Sequence, residues 1–396
     1  MSSSGLPPVS LVTYSTKPRG GVVHTLALGE ALHRLGTDVL VVGLGDPTQG
    51  FFRATDVPTM VVDAPEVDGG MEERVAANID ALEVALTDVA TTHPLLHTQD
   101  CIAARAAARV RDAGRAACLV LRTVHHVDDF SSQVLMDCQR QAILEPDQVF
   151  VVSHAWQRIL QADYGVAAEV VPNGVDAGSF AAPAPAGLVR ELRARVGATA
   201  RPLLLSVGGI EPRKGSDTLV RALARLARTR EPAPVLAVLG GHSFQDHRAY
   251  RERVLDSLGP LGLELGIDVV EVGTVPAGEI SAWYHAADAL AFPSEKEGFG
   301  LAALEAMCAG LPVVASDLEA FREWLVPDRD ALVVPVGDDA ALAAALSRVL
   351  DDKALRDLLV ESGRRVAETY TWEASARRHL GLYVDTWARA EAGAGR

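Results

Sequence analysis

Short apolar runs and longer amphipathic stretches alternate along most of the chain. The first half opens with an apolar run at Val9–Tyr14, an amphipathic stretch at Val22–Leu35 and a second apolar run at Val39–Val42. Short apolar runs are typical of buried strands, and apolar positions that recur every three or four residues predict helices. Strand and helix therefore alternate, and this order favours a parallel sheet with helices on both faces.

The same alternation begins again in the second half, after the pair Asn173-Gly174. Residues 177–186 are rich in Ala, Gly and Pro, which predicts a linker. Six predicted strands follow it: Leu203–Val207, Val235–Leu239, Val269–Val272, Ala289–Phe292, Val313–Ala315 and Leu332–Val334. We therefore predict an α/β protein with two Rossmann-like, doubly wound parallel-sheet domains, residues 1–175 and 176–370.

The composition is consistent with two such domains and excludes some functions. A chain of 396 residues with 48% hydrophobic residues can bury two substantial cores. A net charge of −15 argues against nucleic-acid binding. No apolar run predicts a transmembrane helix and the N-terminal residues lack the features of a secretory signal, so we expect a cytoplasmic protein. Peripheral membrane association stays open because of one basic stripe, Arg105, Arg109, Arg111 and Arg115, although a solvated surface is the simpler interpretation.

The four cysteines do not have the spacing of a metal site. They are Cys101, Cys118, Cys138 and Cys308. Isolated cysteines in apolar or helical surroundings are typical of reduced thiols in the core of a cytosolic protein.

The stretch Phe292–Asp317 is the strongest candidate for a ligand site. An apolar run leads into a polar turn with Gly298 and Gly300, and a predicted helix follows. The first amides of a helix lack internal partners and bind anions, and glycines allow a ligand to approach the backbone closely. Glu297 and Glu305 bracket the turn. Glu305 lies in an otherwise apolar helix, where a lone carboxylate costs free energy unless it has partners.

Other polar residues follow predicted strands, where open parallel sheets bind their ligands. The loop after Leu203–Val207 contains Arg213 and Lys214, two cations able to neutralise a diphosphate, although a surface turn is the simpler interpretation of either alone. The loop after the strand ending at Val124 contains His125, His126, Asp128 and Asp129. Adjacent histidines on an extended segment point to opposite sides, so we expect no shared metal ion.

Four further motifs lie along the chain: the first loop with Gly20 and Gly21, VVPNGVD at Val170–Asp176, the pair of glutamates with seven residues between them in EGFGLAALE, and CAGLPVVASD. In this order they resemble glycosyltransferase family 4. The resemblance covers nearly the whole chain and implies the GT-B fold, in which two Rossmann-like domains hold the active site in the cleft between them. It also implies that residues 371–396 form a last helix that returns to the N-terminal domain.

The resemblance implies roles for individual residues. Glu297 would hold the donor sugar, Glu305 the ribose, Lys214 the diphosphate, and His125 would face the reacting carbon. The segment with Thr274 and Val275 would line the base. Backbone contacts to the donor would come from the remaining candidate positions: Gly20, Gly21, Gly209, Gly298, Phe299, Gly300 and Leu301. Gly209 is itself a departure, because the family usually has an arginine there, and Arg213 is the candidate substitute.

We therefore expect a retaining, metal-independent hexosyltransferase that uses a UDP- or GDP-sugar and needs no cofactor. The acceptor is an unidentified small molecule, lipid or glycan. Two alternatives stay open at this point: a nucleotide-sugar epimerase or hydrolase on the same fold, and a non-catalytic module that binds a nucleotide-sugar or a partner.

Overall fold

The computed structural model describes residues 6–240 and 247–394. The chain divides into two compact units, Met1–Gly174 with Trp372–Arg396, and Val175–Thr371. Each unit is a parallel sheet covered by helices, as the alternating pattern predicts.

The first unit contains, within the described residues, a parallel sheet of seven strands. They are β1 (Val9–Thr13), β2 (Val39–Gly45), β3 (Thr59–Asp63), β4 (Leu95–Thr98), β5 (Leu119–Val124), β6 (Gln148–Val151) and β7 (Glu169–Val170). Its helices are α1 (Gly20–Arg34), α2 (Met71–Thr92), α3 (Cys101–Asp112), α4 (Gln133–Leu144), α5 (His154–Tyr164) and the C-terminal helix Trp372–Ala394, which packs against α1. All of β1 is buried, as expected for a central parallel strand with helices on both faces.

The order of strands in this sheet is β3-β2-β1-β4-β5-β6-β7. The direction of winding reverses between β1 and β4, which pair in register at Val9 and Leu95. Ligands bind at such a reversal, beyond the carboxyl ends of the strands. The loop after β1 and the start of α3 meet there, because the backbone amide of Tyr14 donates to Oδ2 of Asp100 over 2.8 Å.

The second unit has, in the part of the chain that is described, a six-stranded parallel sheet. Its strands are β8 (Leu203–Val207), β9 (Val235–Leu239), β10 (Val269–Gly273), β11 (Ala289–Phe292), β12 (Val313–Ser316) and β13 (Leu332–Val334). Its helices are α6 (Ala177–Ala181), α7 (Ala186–Arg195), α8 (Ser216–Thr229), α9 (Arg248–Asp256), α10 (Leu258–Leu261), α11 (Ala277–Ala286), α12 (Leu301–Ala309), α13 (Glu319–Arg322), α14 (Asp339–Asp351) and α15 (Lys353–Thr369), with a 3₁₀ turn at Pro212–Lys214. The order β10-β9-β8-β11-β12-β13 reverses between β8 and β11.

The predicted linker at 177–186 is wrong in its first half, which forms α6. Asp176 caps this short helix, because its Oδ1 accepts the amides of Gly178 and Ser179. The ring of Phe180 then packs edge-on against Tyr284, with centroids 5.7 Å apart. Composition favoured a linker, but the Asp176 cap and the packing of Phe180 hold the segment on the second unit.

Two further observations concern predictions from composition. All four cysteines are free, and Cys118 and Cys308 are buried as predicted, whereas Cys101 and Cys138 are only half-buried. Among the described residues, no helix combines the length and the hydropathy that a membrane crossing requires.

Candidate functional site

The reversal of strand order in the second unit brings two predicted loops together. β8 and β11 are neighbours in the sheet, with Ala289 beside Leu204. The loop after β8 ends in the turn Pro212–Lys214, and the loop after β11 leads to α12. The two loops are joined directly, because the amide of Glu295 donates to the carbonyl of Arg213 over 2.8 Å.

Lys214 and Glu297 form an ion pair in this place. The lysine is only 9% exposed, and its ammonium donates to Oε1 of Glu297. The hydroxyl of the buried Ser294 donates to the same oxygen over 3.3 Å. The lysine Nζ also lies 4.8 Å from the centre of the Phe292 ring. Burial lowers the pKa of Lys214 from its usual value, and the carboxylate of Glu297 opposes that change.

Arg213 lies beside this pair. Its Nε donates to Oε2 of Glu211 over 3.0 Å, and its Nη1 lies 3.5 Å from Oε1 of Glu297. The position predicted for the family's arginine, Gly209, has φ +78°, a conformation that strains any residue with a Cβ. The backbone at this position therefore favours glycine, and Arg213 brings a guanidinium to Glu297 from the turn instead.

Glu305 has a partner that the sequence did not reveal. The hydroxyl of Tyr284 on α11 donates to Oε2 of Glu305 over 2.7 Å. Tyr284 is buried and Glu305 is half-buried. Burial raises the pKa of Glu305 to about 7, and the hydrogen bond from Tyr284 and the charge of Lys214 oppose this rise. No short-range pattern links two residues on different helices, so sequence analysis missed Tyr284.

The predicted turn before α12 is present, and the helix begins at Leu301. Gly300 precedes it with φ +93°, and a Cβ there would lie 2.5 Å from Cε1 of Phe321. Glycine is therefore required at this position by the packing of Phe321, whether or not a ligand binds. The Phe299 side chain is buried and stacks on Trp324, with centroids 5.4 Å apart. Gly298, next to Glu297, is half-buried.

The segment predicted to line the base follows β10. Thr274 is exposed and Val275 is half-buried. The carbonyl of Gly273 accepts the amide of Gly240 at the end of β9 over 2.9 Å. The ends of β9 and β10 are therefore joined at the same edge of the sheet as the Lys214 loop.

His125 follows β5 in the first unit, as predicted. Its Nε2 lies 3.1 Å from Oε1 of Gln99, so the ring donates its proton to that oxygen and leaves Nδ1 as an acceptor. Gly21 is close, because a Cβ there would lie 3.9 Å from Cδ2 of His125; Gly20 beside it is the first residue of α1. Burial and neighbouring histidines hold the pKa of His125 well below its usual range, so the ring is neutral at pH 7.

His126 and Asp128 make other contacts in the same loop. His126 is exposed, and its Nε2 lies 3.4 Å from Oδ1 of Asp128. The backbone of Asp128 is held by Gln139, whose side-chain amide both accepts from its N–H and donates to its carbonyl, over 2.8 and 3.0 Å. Within the described ranges, no three His, Cys, Asp or Glu side chains lie together in a way that suits a metal ion.

Three more histidines surround His125, and sequence analysis missed them. The His24 ring packs edge-on against His125, with centroids 4.6 Å apart, and its Nδ1 lies 2.9 Å from Oδ1 of Asn173. His97 contacts the hydroxyl of Tyr383 over 2.6 Å, and His379 lies beside both rings. Burial lowers the pKa of His24 to about 4 and that of His379 to about 3. Asn173, from the VVPNGVD motif, is therefore part of this cluster.

Comparison with protein families matches both halves of the chain. Residues 188–366 match the family described as "Glycosyl transferases group 1", and residues 18–178 match "Glycosyltransferase Family 4". Among curated relatives, a D-inositol 3-phosphate glycosyltransferase of Kineococcus radiotolerans is 36% identical over 260 residues, 62% of this chain and 58% of that protein. A protein of the same name from Frankia alni is 37% identical over 221 residues, 54% of this chain and 52% of that one. The match thus spans little more than half the length of these relatives.

Solved structures match over nearly the whole chain. Sucrose-phosphate synthase from Thermosynechococcus elongatus superposes with a TM-score of 0.78 at 24% identity, over 97% of this chain and all of that one. HepE of Anabaena, in complex with UDP and glucose, superposes with a TM-score of 0.77 at 19% identity, over 96% and 99% of the two chains. Similarity at this level of identity establishes the fold. The chain has the GT-B fold and belongs to the group 1 glycosyltransferases of glycosyltransferase family 4.

Proposed function

We propose that this protein is a retaining, metal-independent glycosyltransferase that moves a hexosyl-type sugar from a nucleoside-diphosphate sugar to an acceptor hydroxyl. The observation that carries the proposal is the group formed by Lys214, Arg213 and Glu297 where the strand order reverses. Parallel sheets bind ligands at this place, and here it combines two cations with one carboxylate.

The two cations suit the charge that develops on the leaving diphosphate. Lys214 is held in a poorly solvated position, where its charge interacts more strongly with an anion than it would in water. Its present partner, Glu297, is the carboxylate assigned to the donor sugar. Binding of the donor would therefore exchange an internal ion pair for contacts of Lys214 with phosphate and of Glu297 with sugar hydroxyls.

Glu305 and the start of α12 complete the donor site. The carboxyl of Glu305 is assigned to the ribose hydroxyls, and its pKa near 7 allows it to accept their hydrogen bonds as a carboxylate at neutral pH or above. The amides around Phe299, Gly300 and Leu301 are assigned to the sugar and the diphosphate. Thr274 and Val275 are proposed to line the base. Gly209, which has no side chain, is proposed to let the donor lie close to the backbone.

His125 keeps the role that the family resemblance predicts, a contact with the donor sugar near the reacting carbon. Because its ring is neutral, it is able to accept or donate a hydrogen bond without placing a positive charge beside the sugar. No side chain is assigned as a covalent nucleophile, so retention would proceed by attack of the acceptor hydroxyl on the face from which the diphosphate leaves. Gly20 and Gly21 allow the first loop to approach the substrates.

The names of the relatives suggest which acceptor to test first. The names of the curated relatives specify D-inositol 3-phosphate, so a phosphorylated polyol is the first acceptor to test. UDP- and GDP-sugars are the first donors. No cofactor is proposed, and turnover in excess EDTA should equal turnover with added Mg²⁺.

A thermal-shift panel of UDP-, GDP-, ADP- and TDP-sugars tests the proposal. A donor at about 100 times its dissociation constant stabilises the folded protein by about 2.7 kcal/mol, so one nucleotide should stand out. Lys214→Ala should abolish the shift, whereas the matched control Lys353→Ala, an exposed lysine on α15, should keep it. A shift that Lys214→Ala leaves intact would place the donor elsewhere.

Product analysis then separates the alternatives. A transferase should form a glycoside of the acceptor, with release of the nucleoside diphosphate that depends on that acceptor. An epimerase or hydrolase would convert the donor at full rate without any acceptor. Binding without turnover over a broad acceptor panel would indicate a non-catalytic module.

A further inference from the structure

Two cysteine thiols lie together in the first unit, beside the loop that carries His125. Cys101 is the first residue of α3, and Cys138 lies on α4, which packs against α3. Their thiols share a hydrogen bond. Both residues are half-buried, whereas Cys118 and Cys308 are buried.

Arg122 on β5 adds a buried positive charge to this pair. It is only 4% exposed, and among the described residues its Nε and Nη1 have no hydrogen-bond partner. The anionic groups that act on this guanidinium are, in order of strength, Cys101, Asp100, Cys138 and Asp128. A buried guanidinium with unpartnered N–H groups favours a negative charge close by, and a thiolate supplies one.

The pair therefore holds one proton more readily than two. The thiol of Cys101 donates to the sulfur of Cys138, and the cations Arg105, Arg122 and Arg109 add to this effect. Together they lower the pKa of Cys138 to about 7, while the pKa of Cys101 rises. At pH 7 a large fraction of the molecules thus have a thiolate at Cys138 beside a protonated Cys101, the arrangement of an attacking and a resolving cysteine.

We propose that Cys101 and Cys138 form a redox-active dithiol, a modification site at which a hydroperoxide closes a disulfide between α3 and α4. The Cys138 thiolate attacks the outer peroxide oxygen and breaks the O–O bond, which gives a sulfenic acid and an alkoxide or hydroxide that takes up a proton. The sulfur of Cys101 then attacks the sulfenic sulfur and forms the S–S bond. Its proton leaves with the hydroxyl group as water. The dithiol loses two electrons, and the peroxide gains them.

The two cysteines are neighbours of the residues that hold the His125 loop. Gln99, two residues before Cys101, contacts His125, and Gln139, directly after Cys138, holds the backbone of Asp128 by two hydrogen bonds. A disulfide requires Cα atoms about 4.4–6.8 Å apart and a particular dihedral angle, so it restricts α3 and α4 together. Oxidation should therefore move His125 and reduce turnover. This consequence rests on the proposed function, whereas the disulfide itself does not.

The first experiment tests the disulfide alone. The full chain is treated with one equivalent of hydrogen peroxide at pH 7, unfolded, and titrated for thiols. We expect the thiols to fall from four to two per chain, and peptide mapping to find Cys101 joined to Cys138. Cys118→Ser, the matched control, should form the same disulfide, and Cys101→Ser should instead leave a sulfenic acid at Cys138 that dimedone traps. Four remaining thiols in the wild type, or a disulfide that involves Cys118 or Cys308, would overturn the proposal.

The second experiment tests the consequence. Oxidised wild-type protein should lose at least about tenfold in turnover and regain it with dithiothreitol. Cys138→Ser should keep its activity in peroxide, and Cys118→Ser should respond like the wild type. Donor binding to the second unit, measured by thermal shift, should be the same before and after oxidation. A protein that binds no donor in either state refutes the proposed function, whereas a mapped disulfide with unchanged turnover refutes only its link to His125.

Discussion

Tyr284 donates a hydrogen bond of 2.7 Å to Glu305, and this contact joins two helices of the second unit at the proposed ribose site. Among the described residues, Tyr284 is the one hydrogen-bonding partner of the Glu305 carboxyl. Its hydrogen bond stabilises the ionised form of an acid whose pKa burial raises to about 7. The carboxylate is thus kept available for a ligand near neutral pH.

Replacement of Tyr284 by Phe should weaken donor binding. Loss of a hydrogen bond to a charged group costs about 1.5–3 kcal/mol, so we expect about a tenfold or larger loss of affinity at pH 7. Because the pKa of Glu305 would rise further, the loss should be smaller at pH 9. Isothermal titration at both pH values measures it. Tyr383→Phe, which removes another buried hydroxyl, is the control and should bind the donor normally. Equal affinity of Tyr284→Phe and wild type would contradict the assigned role.

Glu305→Gln should stabilise the protein and abolish donor binding. The folded state keeps the Glu305 proton up to about pH 7, while the unfolded state loses it near the usual value of 4.5. The stability contributed by this group is therefore fully present below pH 4.5 and is lost as the pH rises through 7. At pH 8 we expect the free energy of unfolding of Glu305→Gln to be about 1–3 kcal/mol higher than that of the wild type. This difference should vanish towards pH 5. Urea unfolding measures it, with exposed Glu361→Gln as a control that should show no such pH dependence.

Arg213→Ala tests whether this residue replaces the family's arginine. Removal of one group that stabilises a developing charge costs about two to three orders of magnitude in kcat. Because Arg213 is 38% exposed, we expect the lower end, about a hundredfold. Arg221→Ala, an exposed arginine paired with Asp217, should keep full turnover. If Arg213→Ala leaves kcat and donor affinity unchanged, Arg213 does not replace the arginine that the family usually has at position 209.

The buried histidines should make the first unit sensitive to acid. The pKa of His379 is lowered to about 3 in the folded state, so between pH 6.5 and 3 the unfolded state binds one more proton. Stability from this group is complete above pH 6.5 and is lost as the pH falls. Between pH 7 and 5.5 the free energy of unfolding should fall by about 1 kcal/mol less in His379→Gln than in the wild type. Exposed His33→Gln is the control in the same denaturant titration, and an equal loss in all three proteins would be the contrary result.

Comparison of alanine substitutions at two glycines distinguishes the cost of backbone strain from the cost of a steric clash. Gly215 follows Lys214, and Gly262 lies elsewhere in the second unit. Gly215 and Gly262 both have positive φ, +63° and +79°. A Cβ at Gly262 meets open space, whereas one at Gly215 would overlap the carbonyl oxygen of Pro293. Gly262→Ala should cost about 1–2 kcal/mol of unfolding free energy from its conformation alone. Gly215→Ala should cost clearly more and should also weaken donor binding. Similar costs for both would mean that the Lys214 loop moves freely away from Pro293.

The sequence by itself determined the alternation of strands and helices and the loops at the strand ends. These follow from local periodicity, and several strands, among them Leu203–Val207 and Ala289–Phe292, have the predicted bounds. It also placed Lys214 and Glu297 in loops that follow strands. Their contact depended on the sheet, because only the neighbouring positions of β8 and β11 bring together residues 83 apart in the chain.

The tertiary structure alone decided which side chains complete the sites. Tyr284 reaches Glu305 from another helix, and His24 meets Asn173 across 149 residues. Neither pair leaves a periodic signal, because burial of a polar group is determined by what packs around it and not by its neighbours in sequence. The thiol pair has the same origin. Cys101 and Cys138 are isolated positions in the sequence, and they come together only because α3 and α4 pack against each other near the guanidinium of Arg122.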